Sequence, residues 1–238
     1  MLTGKRVLVT GGTTGIGRAI VRQLLDEGAR VVTFGRDATH LQDALSAFQG
    51  TCGEVHGITA DIASRDVLAR IFAEVDARLG GLDILVSNAA LGADPLDVMA
   101  EEEWRYVIEV NLIGALAAAR GALERLGEGG QIVVIGSISA DIHAPGESVY
   151  SATKGGLQAF SETLRKEVAE RGIRVSLVEP GTTGSDMQPS SPEEQRENIA
   201  RAEMLQAEDI AEAVAFILTR PERCDDVSLR IEPRIQKV

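Results

Sequence analysis

The sequence predicts an α/β fold, a parallel sheet covered by helices on both faces. Three observations predict it. Short β-branched runs alternate with amphipathic helical stretches along all 238 residues. The runs are apolar at consecutive positions, as strands buried on both faces require. The first run ends in a glycine-rich turn, Gly11-Gly12-Thr13-Thr14-Gly15, that opens a helix. No composition break or linker divides the chain, so one domain is expected over residues 1–238.

Lys5 to Thr10 reads as the first strand. Gly15 to Glu27 is a helix, with Ile16, Ile20 and Leu24 on one face, and Gly28 is placed to stop it. Arg30 to Phe34 is the second strand, and Asp37 to Phe48 a helix with Asp37 as its N-cap. A third strand over Glu54 to Thr59 precedes a helix over Ser64 to Leu79. Asp83 to Ser87 is the fourth strand, and Glu101 to Leu126 holds one or two helices. Gln131 to Gly136 is the fifth strand. A long helix follows over Ser148 to Arg171, with Leu157, Phe160, Leu164 and Val168 sharing a face. Ile173 to Glu179 is the sixth strand, Ala207 to Thr219 a helix, and Val227 to Ile231 the seventh strand. The stretch 182–206 is rich in Ser, Pro, Glu and Gln and shows no clear element. It reads as an irregular substrate-binding lid.

Composition removes several classes of function. Apolar residues are 44% and charged residues 25%, a globular mix rather than a disordered one. The 25 glycines show no three-residue period. Twenty-four Lys and Arg against 36 Asp and Glu give a net charge of −12, with no basic stripe, so no nucleic-acid partner is expected. No membrane association is expected either: the chain opens without an apolar signal segment, and the apolar stretch 112–119 is too short to span a bilayer. Cys52 and Cys224 lie far apart and form no metal-ligand spacing. No metal is expected, and two free thiols suit a cytoplasmic location.

The glycine turn is the first functional signal. Ligands bind beyond the carboxyl ends of parallel strands, where glycines admit a pyrophosphate to the backbone. A helix N-terminus there supplies unpaired N–H groups and the positive end of a dipole. The absence of a Gly-Lys-Ser/Thr ending argues against an ATP-type loop. At the tip of the second strand stand Gly35 and Arg36. A guanidinium beside a small residue suits a ribose 2′-phosphate, so NADP(H) is the preferred cofactor and NAD(H) the alternative. Two other readings stay open: Arg36 as a solvated loop cation, and Asp37 as the residue that holds the ribose.

A second signal lies at the start of the long helix. Tyr150 and Lys154 are four apart and share a face. A fixed ammonium beside a phenol favours phenolate and would tune a tyrosine for proton transfer to or from a carbonyl oxygen. Ser137, at the tip of the fifth strand, can reach the same oxygen; a turn cap is the plainer reading. Asn111 sits in an otherwise apolar helical stretch, where it predicts a kink or a functional contact.

In order and spacing, these motifs resemble the short-chain dehydrogenase/reductase family in its single-domain form. Thr10 to Gly17 is similar to the family's TGxxxGIG turn, Asp61-Ile62 to its adenine-side acidic position, and Ser87-Asn88-Ala89-Ala90 to its NNAG segment. Asn111, Ser137, Tyr150 and Lys154 match its catalytic tetrad, and Pro180-Gly181 the turn beside the nicotinamide. The resemblance implies a Rossmann-like, doubly wound parallel seven-stranded sheet of order 3-2-1-4-5-6-7. It implies Tyr150 as acid or base, with its pKa depressed by Lys154. Ser137 would polarise the carbonyl, and Asn111 would anchor a water that relays protons from Lys154. It places Gly11, Thr13, Thr14, Gly15, Ile16, Gly17, Arg36, Asp61, Ile62, Asn88, Ala89, Tyr150, Lys154, Pro180, Gly181 and Thr183 around the dinucleotide. It also implies a homodimer or homotetramer, joined through the helices near 101–126 and 148–171.

The chain departs from the family pattern at several points. Ser87 and Ala90 replace an Asn and a Gly, and Thr14 offers no cation for a 2′-phosphate. The substrate pocket is expected between 91–96, 138–147 and 183–205, which offer Leu91, Ile142, His143, Met187 and Met204. The function expected is hydride transfer between the nicotinamide and a small-molecule ketone or aldehyde, or the corresponding alcohol. The alternative is a catalytically silent dinucleotide-binding sensor or scaffold.

Overall fold

The computed structural model describes residues 2–237; Met1 and Val238, the ends of the expected 1–238 domain, lie outside them. Seven parallel strands form one sheet: β1 (Arg6–Thr10), β2 (Arg30–Gly35), β3 (Glu54–Thr59), β4 (Ile84–Ser87), β5 (Gln131–Ile135), β6 (Arg174–Pro180) and β7 (Ser228–Ile231). Their order is β3-β2-β1-β4-β5-β6-β7, as expected from the sequence. Both neighbours of β1 are parallel to it, Val7 lying opposite Val31 on one side and Ile84 on the other. The chain reverses direction of travel across the sheet between β3 and β4, and this reversal opens a crevice at the carboxyl ends of β1 and β4.

Alternate residues of each central strand enter different cores. Leu8, Leu85, Ile132 and Val134 face α3 (Arg65–Leu79), α5 (Gly114–Leu123) and α7 (Ser148–Val168), against Ile71, Val75, Ala118 and Leu157. Val7, Val9, Val86 and Val133 face α1 (Gly15–Asp26) and α9 (Ala207–Leu218), against Ile20, Leu24, Ile210 and Val214. Each such side chain contributes about 1.5–3 kcal/mol by leaving water. Consecutive apolar residues in the strands therefore reflect two covered faces. Further helices are α2 (Ala38–Ala47), α4 (Glu101–Ile108) and the short α6 (Ser139–Ile142).

Two expectations need correction. The stretch 182–206 is not irregular throughout, because α8 (Pro192–Ala200) lies within it. Ser191 caps it, accepting from the Glu194 N–H, while the Glu194 carboxylate accepts from the Ser191 N–H at 2.8 Å. Pro192 stands at the first turn, where its missing N–H costs nothing. Its surface is polar all round, so the apolar period that marks the other helices is missing. The second correction concerns 101–126. The helices expected there are present, and what the expectation lacked is their junction: α4 and α5 join without a break through a π-helical turn over Glu109–Ile113. As a continuous helix, Glu101–Leu123 is long and apolar enough by composition to cross a membrane. Its Val107, Val110, Ala115, Ala118 and Ala122 are spent on the protein's own core.

Candidate active site

The crevice is a cleft of about 740 Å³ that runs from the glycine turn to the start of α7. Seventeen of the expected catalytic and cofactor-binding residues line it. Gly11, Thr13, Thr14, Gly15, Ile16 and Gly17 form its floor at β1; Arg36, Asp61 and Ile62 its outer end; Asn88 and Ala89 its middle. Ser137, Tyr150, Lys154, Pro180, Gly181 and Thr183 form its inner end. Asn111 stands behind the wall.

The glycine turn is built around missing side chains. Gly11 and Gly15 have φ of 66° and 50°, a region that L side chains avoid. A Cβ on Gly17 would lie 2.1 Å from the Gly11 carbonyl oxygen and 2.4 Å from Asn88 Nδ2. Thr14 is the N-cap of α1 but makes no side-chain cap, and no acid stands in the first turn, so the helix N–H groups face the cleft unmet. This is a cradle suited to an anion, and the missing side chains leave its backbone open to a pyrophosphate. Asn88 does not project freely into it. Nδ2 of Asn88 donates to the carbonyls of Thr10 and Gly11 at 3.1 and 3.0 Å, while Thr10 Oγ1 accepts from the backbone N–H groups of Asn88 and Ala89. These bonds tie the end of β4 to the turn.

At the outer end, Gly35 is required by contact: a Cβ there would lie 2.4 Å from Thr13 Oγ1. Asp37 is the N-cap of α2 and accepts from the His40 N–H at 2.9 Å, a bond that holds its carboxyl below the usual range. It is thus committed to the helix, which leaves Arg36 facing the cleft. Tyr106, from α4, was not legible as a site residue. Its hydroxyl accepts from Arg36 Nη1 and donates to Asp61 Oδ2, both at 2.7 Å.

The inner end is the more deeply buried one. Ser137 and Lys154 are 8% and 3% exposed. Ser137 stands close enough to Tyr150 for its hydroxyl to act on the phenol, and Lys154 Nζ donates to the Ile135 carbonyl at 3.0 Å. The phenol does not behave as the helical spacing alone suggests. Burial raises the Tyr150 pKa to about 12, against a smaller lowering from Ser137, so the expected depression by Lys154 is not found in this structure. The ammonium sits 5.5 Å from the ring centroid, bonded to the strand carbonyl. It is desolvated too, and its pKa falls to about 8. The resting pair is a neutral phenol beside a weakened ammonium.

Asn111 marks a helical irregularity, as its place among apolar neighbours suggests. It lies in the π-helical turn, and its side chain pairs with the backbone of Leu91: Oδ1 accepts from the N–H at 2.7 Å and Nδ2 donates to the carbonyl at 2.8 Å. Nδ2 also reaches Thr153 Oγ1 at 3.3 Å. Of the expected pocket residues, Leu91 and Met187 line the cleft. Met204 is buried in the fold, and His143 lines a separate shallow depression beside α7.

Comparison with known proteins agrees with this geometry. The family model for short chain dehydrogenases matches residues 5–196. The 3-oxoacyl-(acyl-carrier-protein) reductase FabG of Haemophilus influenzae is 34% identical over 223 residues, covering 91% of each chain. A dehydrogenase/reductase from Sinorhizobium meliloti superposes with a TM-score of 0.89 at 35% identity, over 99% of this chain and 96% of that one. A short chain dehydrogenase from Burkholderia cenocepacia, solved in complex with NADP, superposes with a TM-score of 0.87 at 33% identity, over 98% of both chains.

Proposed function

The chain belongs to the short-chain dehydrogenase family, and from that premise we propose that it is an NADPH-dependent reductase of a ketone or aldehyde, working reversibly on the alcohol. A 3-oxoacyl thioester is the first substrate to try, because the relative from Haemophilus influenzae is a 3-oxoacyl-(acyl-carrier-protein) reductase. One observation carries the reading: the hydroxyls of Ser137 and Tyr150 line the inner end of a cleft whose other end is a glycine turn able to cradle an anion.

When bound, the nicotinamide cofactor supplies the hydride or accepts it. The residues of the glycine turn would hold its pyrophosphate, Arg36 the 2′-phosphate, Asp61 and Ile62 the adenine side, and Asn88, Ala89, Pro180, Gly181 and Thr183 the remainder. The Ser137 hydroxyl donates to the substrate carbonyl oxygen and orients it. Tyr150 is neutral at physiological pH, the state needed to deliver a proton from its hydroxyl to that oxygen during reduction. The buried Lys154 beside it stabilises the phenolate left behind and would hold the cofactor ribose. Asn111 fixes Leu91 and the π-helical turn next to Thr153, and in this reading anchors the water through which Lys154 is reprotonated.

The stretch 182–206 acts as the lid. Its Ser185 approaches the glycine turn, where a Cβ on Gly15 would lie 3.1 Å from the serine Cβ, and Met187 lines the cleft. The enzyme works in the cytoplasm as a homodimer or homotetramer. The exposed Ile113 in the π-helical turn, and Gly155 of α7 with open space above it, support a contact through these helices.

The test is Tyr150→Phe, assayed by NADPH consumption against a panel of 3-oxoacyl thioesters and simple carbonyls. Turnover is expected to fall about 10²–10⁴-fold while NADPH binding persists. Unchanged turnover removes Tyr150 from the mechanism. A wild-type protein that binds NADPH and turns over none of the panel supports instead a silent dinucleotide-binding sensor.

A further inference from the structure

We infer that Tyr106 is a positioning residue for cofactor selection: its hydroxyl, oriented by Asp61, sets the Arg36 guanidinium at the outer end of the cleft to receive a phosphate on the adenosine 2′ position. The inference rests on the NADP reading above. It adds a residue from a different element, 70 positions away in the chain from Arg36.

Three elements meet there. Arg36 follows β2, Asp61 follows β3, and Tyr106 comes from α4. The direction of the chain of hydrogen bonds follows from the chemistry of its ends. A carboxylate can only accept and a guanidinium can only donate, so the phenol proton points to Asp61 and an oxygen lone pair faces Arg36. Burial of the phenol, with Asp61 beside it, keeps that proton in place at neutral pH. The guanidinium carbon also lies 5.5 Å from the Tyr106 ring centroid, a second hold on the same side chain.

Arg36 remains available all the same. One of its five donors is used on Tyr106. Among the described residues no carboxylate forms an ion pair with it, and the neighbouring Asp37 is occupied by the first turn of α2. A free surface arginine would lose much of its rotamer freedom on closing round a phosphate. One already held in place loses less, and the difference appears as affinity for the phosphorylated ribose only. The neutral hydroxyl anchors the cation without cancelling its charge, as a carboxylate in direct contact would.

Calorimetric titration of the cofactor-free protein with 2′,5′-ADP and with 5′-AMP tests this in the wild type, Tyr106→Phe, Arg36→Ala and the double variant. Phenylalanine keeps the ring and removes the hydroxyl. Tyr106→Phe is expected to weaken 2′,5′-ADP about three- to tenfold and to leave 5′-AMP within about twofold. In the Arg36→Ala background, the same change should have no further effect. Equal weakening of both ligands, no weakening, or an undiminished effect without Arg36 overturns the inference. If Arg36→Ala itself leaves the preference for 2′,5′-ADP intact, the NADP reading fails. If it abolishes the preference while Tyr106→Phe is silent, only the role of Tyr106 fails.

Discussion

At the inner end of the cleft, a lysine that is 3% exposed gives its ammonium to a strand carbonyl. At the outer end, an exposed arginine gives its guanidinium to a phenol. Both ends pair one tyrosine with one cation, yet they behave differently. Inside, desolvation dominates: the Tyr150 pKa rises to about 12 and that of Lys154 falls to about 8. Outside, the cation stays hydrated and the tyrosine serves as a fixed hydrogen-bond post. In the proposed reading the same residue pairing serves proton transfer at the buried end and anion recognition at the exposed one.

Variants can break this contrast at either end. The largest effect on stability is expected at Lys154. A buried ammonium with a depressed pKa costs stability below pH 8. That cost is relieved as the pH rises from 8 toward 10.5, because the unfolded chain then holds the extra proton. The raised phenol works the other way, since its contribution is present below pH 10 and is lost as the pH climbs toward 12. Between pH 8 and 10, denaturant unfolding of the cofactor-free protein should therefore show stability rising by about 2–3 kcal/mol relative to Lys154→Met. A flat difference would mean that Lys154 is not desolvated.

Next in size is Asn111→Ala, which strands the Leu91 N–H and carbonyl and opens the π-helical turn. A loss of about 2 kcal/mol in chemical denaturation is expected. The smallest stability effect belongs to the outer end. Arg36→Ala should leave the melting temperature within about 2 °C of the wild type while it abolishes the preference for NADPH over NADH. A large drop in melting temperature would show that Arg36 is part of the fold rather than of the recognition surface.

Much of this was legible residue by residue. The alternation of buried strands with amphipathic helices led to the parallel sheet, and the glycine turn located the crevice. A polar Asn111 among apolar neighbours foretold the kink, because a side chain with three hydrogen bonds to make rarely sits idle in a helix. The helix α8 is written in a different signal, Ser191 followed three residues later by Glu194 with Pro192 between them, and carries no apolar period. Tyr106 left no trace at all. Its partners are 45 and 70 residues away, and no local pattern joins them.

By itself the sequence determined which residues can carry chemistry and which strand ends they occupy, since hydrophobic period, turn glycines and helical spacing are local properties. Only the tertiary structure decided what those residues are worth. The acidity of Tyr150 and Lys154 depends on how much water packing leaves around them, and the chain from Arg36 through Tyr106 to Asp61 exists because β2, β3 and α4 converge. Solvation and long-range contact are properties of the folded surroundings, and no stretch of sequence contains them.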